Sequence, residues 1–264
     1  MILKETYARS EIHDHWESIY RDNSIENEFN DIIADRILQY LNPPPNAFFL
    51  DAGCGVGDHS IRIAKRGYRC LGVDISENIL RRATKNVVAC GLESKVSFVC
   101  QALEEMSFQE ATFDAVHCRG VLMHIPQWEK ALANLCSVLK PGGRIVIMEN
   151  NHKSLEAAIV MLVRRIQARK SKLINTPAGL EFWSEENGQP FLARIANIAT
   201  VIKELESRRV WVLKRIAAGF WGIGRFPAGL VRNTVVRYNR LYFSLGLPPS
   251  FSIGNAIIGE KKSG

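Results

Sequence analysis

Between Ala47 and Glu149, short apolar runs alternate with longer stretches whose apolar positions recur at helical spacing. The runs near 47–51, 69–74, 95–100, 113–118 and 143–149 predict strands, and the intervals near 58–66, 76–90 and 128–140 predict helices. Strands that are apolar throughout rather than in alternation are covered on both faces, so the regular exchange of strand and helix predicts an α/β fold with a parallel, doubly wound sheet. Ser76, just ahead of Glu77 and the apolar Ile79, Leu80 and Ala83, fits a helix N-cap. Upstream, residues 13–20 and 29–41 predict two helices. The second has apolar residues at 29, 32, 33, 37, 38 and 41 and is ended by Pro43, Pro44 and Pro45. Beyond residue 150 the pattern loosens. Residues 155–172 predict a basic amphipathic helix, with Ile159, Leu162, Val163 and Ile166 opposite Arg164, Arg165, Arg169 and Lys170. Residues 228–243 repeat it, with Val231, Val235, Tyr238 and Tyr242 on one face.

Composition narrows the class. A chain of 264 residues can bury a sizeable core, and no apolar run reaches the roughly 20 residues that span a bilayer. Met1–Ser10 lacks the apolar centre of a secretory signal, so a cytoplasmic protein is expected. The six cysteines are scattered without a C-x-x-C pair, which points to reduced core residues rather than a metal cluster or disulfide framework. The net charge of +7 is divided unevenly: residues 1–150 carry 16 Lys and Arg against 20 Asp and Glu, whereas residues 151–264 carry 18 against 7. The basic half is either a solvated face or a surface that meets something anionic, such as a phosphorylated substrate, a lipid surface or a nucleic acid.

The candidate chemistry sits at the first strand-to-helix corner, Leu50-Asp51-Ala52-Gly53-Cys54-Gly55-Val56-Gly57, followed by Asp74 at the end of the next apolar run. Glycine permits the close backbone approach such a corner requires. A dinucleotide fingerprint would place a third glycine where Asp58 stands. The two acceptor oxygens of Asp74 suit the vicinal hydroxyls of a free ribose.

These residues resemble motif I of the class I S-adenosylmethionine-dependent methyltransferases. The likeness continues through Phe113–Cys118 and Val121–Pro126, similar to the family's fourth strand and the loop after it. Leu139–Ile147 is similar to its turn into the fifth strand. The resemblance implies a Rossmann-like seven-stranded sheet and places the chain with the small-molecule methyltransferases of types 11 and 25. Residues 1–45 would form a helical cap, 46–150 the cofactor-binding core, 151–245 a helical lid over the substrate, and 246–264 an antiparallel terminal strand, with residues 209–217 as its neighbour. It also implies S-adenosyl-L-methionine as cofactor, bound by Asp51, Gly53, Cys54, Gly55, Gly57, Asp74, Ile75, Ala102, Leu103, Glu104, Cys118 and Arg119. The loop amides would face the amino-acid part, Ile75 would pack on the adenine, and the backbone at Cys118 and Arg119 would lie by the sulfonium and carboxylate. Ala102 departs from the pattern, because many relatives carry there an Asp that accepts from the adenine amine; backbone groups of Ala102 and Leu103, or Glu104, would then read that edge. Trp16 or Tyr20 would cover the cofactor, or only pack on the sheet.

On the acceptor side, His124 and His152 are the candidate bases, since imidazole exchanges a proton near neutral pH; His13, His15, His59 and His117 have no such placement. The basic, partly apolar lid suggests O-methylation of a small acceptor that is anionic and partly hydrophobic, such as a lipid-linked or nucleotide-linked sugar or a quinone-like ring. The helix at 228–243 can also lie peripherally at a membrane surface. Two other readings compete. Nucleic-acid methylation lacks support, because Cys118-Arg119-Gly120-Val121 stands where base methylation would need Asn or Asp before Pro-Pro-aromatic. A non-catalytic S-adenosylmethionine-binding protein is motivated by Ala102. The sequence does not set the acceptor or the oligomeric state.

Overall fold

The computed structural model describes residues 2–9, 24–167, 172–186 and 188–262. The predicted helix at 13–20, with Trp16, Tyr20, His13 and His15, lies outside them. A short helix α1 (Ile2–Tyr7) precedes α2 (Ser24–Leu41), and the core then alternates: β1 (Phe48–Ala52), α3 (Asp58–Lys65), β2 (Arg69–Asp74), α4 (Glu77–Ala89), β3 (Val96–Cys100), β4 (Phe113–Arg119), α5 (Trp128–Val138) and β5 (Leu139–Asn150). There follow α6 (Leu155–Gln167), β6 (Lys172–Thr176), β7 (Gly179–Glu186), β8 (Gln189–Ala196), α7 (Ile198–Ser207), β9 (Val210–Gly219), α8 (Leu230–Ser244) and β10 (Gly254–Lys261).

Seven strands form one sheet in the order β3-β2-β1-β4-β5-β10-β9. Strands β1 to β5 run parallel and β10 is antiparallel to both neighbours, as expected of a terminal strand inserted beside residues 209–217. The strands alternate their side chains between two cores. Leu50, Val116, Ile145 and Ile147 pack under α5 and α7, whereas Phe49, Ala115, Val146 and Met148 pack under α2, α3 and α8. Because both faces are covered, β1 and β4 have no solvent face to mark with polar residues. Ser76 caps α4 as predicted, and its hydroxyl also donates to the Ala8 carbonyl at 2.8 Å, drawing the N-terminal segment over the end of β2.

The lid expectation requires amendment. Residues 151–245 contain helices, but they also contain a second, three-stranded antiparallel sheet β6-β7-β8, and β9 belongs to the main sheet. Helical periodicity at its two ends concealed the strands between them. The small sheet is fixed to the core by a bridge between Asn151 and Ala196 and by Tyr7, whose hydroxyl donates to the Leu192 carbonyl at 2.5 Å.

Candidate methyl-donor site

The strand order reverses between β1 and β4, and a doubly wound sheet opens a crevice at the carboxyl ends of the strands flanking such a reversal. Here the crevice is a cleft of about 830 Å³, within the range of small-molecule sites. Its floor is the glycine corner. Gly53 is held at φ +72°, and a Cβ there would come within 2.2 Å of the Val121 side chain, so no other residue fits. Gly55, at φ +52°, faces open space where a Cβ would stand, which leaves room for a ligand against the backbone.

The loop is fastened to β2 rather than left for a ligand. The amides of Gly53 and Cys54 donate to the Val73 carbonyl at 2.7 and 3.0 Å, and the Gly55 amide donates to Asp74 Oδ2 at 2.9 Å. The expectation that these amides face the amino-acid part of a cofactor is therefore corrected: their hydrogen bonds are made inside the protein. Asp74 Oδ1 accepts from the Ser76 amide at 3.1 Å. Asp74 also lies in the wall of the cleft.

Of the residues singled out from the sequence, Gly53, Cys54, Gly55, Asp74, Ile75, Ala102, Leu103, Glu104, Arg119 and His124 line the cleft together. Four do not. Gly57 turns the chain into α3 at φ +83° and faces Phe98 and Ala83, so it serves packing. Cys118 is fully buried in the core under α5, its thiol pushed up by burial. His152 is tied at the base of β8, its Nδ1 donating to the Ala196 carbonyl at 3.1 Å, away from the walls of the cleft. Asp51 is buried, accepting from Ser60 Oγ at 2.6 Å and from His117 Nδ1 at 2.9 Å, so it orders the corner from beneath.

That contact gives His59 and His117 places which the sequence did not foretell. Their rings stack 4.7 Å apart. Arg119 Nη1 donates both to His59 Nε2 and to Asn30 Oδ1, each at 3.0 Å. Burial, reinforced by the Arg119 charge, lowers the pKa of His59 well below the ordinary imidazole range, so the ring is a neutral acceptor for the guanidinium. Arg119 is thus aimed at the cleft by side chains from α2 and α3.

On the opposite wall, His124 Nδ1 donates to the Leu192 carbonyl at 2.8 Å, and its ring packs against Tyr7 and Phe191. A carbonyl only accepts, so in the neutral ring Nε2 carries the lone pair. Two carboxyls in the walls were also missed, Glu26 on α2 and Glu149 at the end of β5. Burial raises the first to about 7, against the charges of Arg119 and Arg232, and the second to about 8, against Arg194 and the nearby backbone of 121–123. A charged residue closing the apolar run Ile145–Met148 was a legible signal for Glu149; nothing in α2 distinguished Glu26 from a solvated acid.

A reversal point built on a glycine corner, with an acidic side chain ending the second strand, defines a nucleoside-binding site of the Rossmann-like class. Residues 50–147 match the family model described as a methyltransferase domain, and this part of the chain belongs to the class I S-adenosylmethionine-dependent methyltransferase family. Norajmaline N-methyltransferase from Rauvolfia serpentina is 35% identical over 47% of this chain and 44% of its own. Ubiquinone biosynthesis O-methyltransferase from Idiomarina loihiensis is 37% identical over 42% of this chain and 46% of its own. The chain spans less than half the length of these curated relatives. Magnesium protoporphyrin IX methyltransferase from Synechocystis PCC 6803, solved with bound SAH, shares the fold over 99% of both chains, with a TM-score of 0.65 and 18% identity.

Proposed function

We propose that this protein is an S-adenosylmethionine-dependent methyltransferase acting on a small molecule. The observation that carries the reading is Asp74: its carboxylate fastens the glycine corner and also lines the cleft, where it suits a ribose diol. The residues fit the group, since Gly55 leaves open space beside Asp74 and Ile75. Bound there, the cofactor supplies an electrophilic methyl on a sulfonium. Arg119, positioned by Asn30 and His59, would meet the methionyl carboxylate, in place of the loop amides engaged elsewhere. Ala102, Leu103 and Glu104 would border the adenine, and Tyr7 lines the cleft from the N-terminal segment.

Methyl transfer is an in-line displacement in which aligned reactants account for much of the rate enhancement. His124, which lines the cleft with its Nδ1 proton engaged by the Leu192 carbonyl, is the base favoured by the geometry. Arg225, Trp221, Phe191 and Met123 line the far part of the cleft. They support an acceptor that is anionic and partly apolar; oxygen is the proposed methylated atom, the case in which a base such as His124 contributes. The wall bearing Arg225 is held by Glu156, which accepts from the Gly222 amide and from Arg225, and by Asn239, which binds the backbone of Phe220 and Trp221. A peripheral membrane contact is supported by the exposed Leu230, Val231, Leu241 and Leu245 of α8 and its C-terminal end, and by the exposed Phe251. No described helix is long and apolar enough to cross a membrane.

Calorimetric titration with S-adenosylmethionine and S-adenosylhomocysteine tests the first step. Transfer of a labelled methyl group to lipid, glycan and RNA pools of a cell extract tests the second. Binding with label in the lipid or glycan pool is expected. Absence of binding refutes the reading, binding without transfer to any pool leaves a non-catalytic cofactor-binding protein, and label confined to RNA would favour nucleic acid.

A further inference from the structure

Glu149 ends β5 at the mouth of the sheet, beside the end of β4: the Gly120 amide donates to the Met148 carbonyl at 2.8 Å, and Arg119 pairs with Met148 in register. The side chain is only 4% exposed, yet it lines the cleft. Among the described residues neither of its carboxyl oxygens has a hydrogen-bond partner. A buried carboxyl without protein partners calls for a water, an ion or a ligand to complete it, and this one faces the cleft.

Its neighbours explain why the protein itself does not. Arg194 on β8 is the nearest cation by effect, but its guanidinium binds Glu181 and the carbonyls of Leu122 and Ile125. Cys118 on β4 faces Glu149 as a neutral thiol, since burial and the acid both raise it. Asn255, opposite in register on β10, gives its Oδ1 to Arg215 and its Nδ2 to the backbone at Pro249 and Ser252. The amides of Val121, Leu122 and Met123 also face the carboxyl and favour its ionised form, but none reaches it with hydrogen-bond geometry. The pocket thus holds a buried carboxyl next to the strand ends where the reactive part of a bound nucleoside cofactor belongs.

We infer that Glu149 is the counter-ion of the cationic methyl donor, neutral before binding and ionised once the sulfonium enters, so that donor binding releases a proton and binding of the uncharged thioether product does not. The inference rests on the proposed function above. It gives the site a means of preferring fresh donor over spent product: a positive charge nearby favours the carboxylate, and the carboxylate in turn favours the charged ligand. In agreement, burial holds Glu149 at about 8, so the group has a proton to release at neutral pH.

The two ligands differ at the sulfur, so their affinity ratio cancels contributions from groups that meet the shared adenosyl and amino-acid parts, Glu26 and Arg119 included. Calorimetry on the full chain from pH 6 to 8.5, in buffers of different ionisation enthalpy, reads both the ratio and the protons exchanged. For the wild type the preference for S-adenosylmethionine over S-adenosylhomocysteine should rise with pH, by up to about tenfold per unit, and flatten above about 8. Proton release should approach one for the donor and zero for the product, and in Glu149→Gln the ratio should be independent of pH. Should that variant fail to fold, infrared spectra of the wild type decide instead: the carbonyl band of a buried carboxylic acid should vanish with S-adenosylmethionine and persist with S-adenosylhomocysteine. A pH-independent ratio in the wild type, an unchanged pH dependence in Glu149→Gln, or a band indifferent to the donor overturns the counter-ion while leaving donor binding intact. Failure of both ligands to bind overturns the proposed function itself, and the counter-ion with it.

Discussion

Asp74→Ala removes one carboxylate that acts on two scales. In the free protein it deprives the Gly55 and Ser76 amides of their acceptor. Ser76 is fully buried and its amide has no route to water, whereas Gly55 borders the cleft. At about 1–3 kcal/mol for a buried group left unsatisfied, and less for one that water reaches, the loss of stability should be about 2–4 kcal/mol. On the proposed function, the same change also removes the acceptor for two ribose hydroxyls. Hydrogen bonds to a charged group contribute about 1.5–3 kcal/mol each, which corresponds to a fall in affinity of about 10²- to 10⁴-fold. Urea unfolding measures the first effect, and titration with S-adenosylmethionine, on protein shown to be folded at the same temperature, measures the second. Asp74→Asn, which keeps one oxygen acceptor, should fall between the wild type and Asp74→Ala. A folded Asp74→Ala that binds the donor within about threefold of the wild type would refute the ribose role of this residue.

The two glycines of the corner should respond differently to alanine. Gly53→Ala adds the strain of a positive φ to the collision with Val121 and should cost about 2–5 kcal/mol in urea unfolding, whereas Gly55→Ala meets no atom and should cost about 1 kcal/mol while weakening the donor. Stability should also depend on the buried acids. A carboxyl raised in the folded state holds its proton more tightly there than when unfolded, so its contribution is complete below about pH 4.5 and disappears as the pH climbs to about 8 for Glu149 and about 7 for Glu26. With about 1.4 kcal/mol per unit, the Glu149 contribution is at most about 5 kcal/mol. Relative to Glu149→Gln, the wild type should therefore lose several kcal/mol between pH 5 and 8.5 in denaturant titrations, and parallel curves would contradict this. Anionic vesicles should sediment the protein in a salt-sensitive way and neutral vesicles should not; Leu241→Ser with Leu245→Ser should weaken this, and equal sedimentation of the double variant would exclude α8 as the contact.

What the sequence determined by itself is the frame: the order of β1 to β5 with their helices, the glycine corner, and the acid that ends β2. Each is written in neighbouring residues, since apolar runs, a glycine obliged to positive φ and a Ser cap act over a few positions along the chain. The terminal pair β9 and β10 was legible only through likeness to a family, because strands so far from the core in sequence carry no local mark of their partners. Tertiary structure decided the rest. It turned the loop amides inward onto Val73 and Asp74, sent Asp51 and Cys118 into the core, and tied His152 to Ala196 instead of the cleft. It also brought Tyr7, Asn30, His59 and Glu149 to one cavity from four distant segments. The small sheet β6-β7-β8 belongs to the same category: its strands are partly exposed, and they read as strands only once paired with each other and seated on the core. The direction in which a polar side chain points, and whether a carboxyl keeps its proton, depend on the dielectric and on partners remote in sequence; no local pattern encodes either.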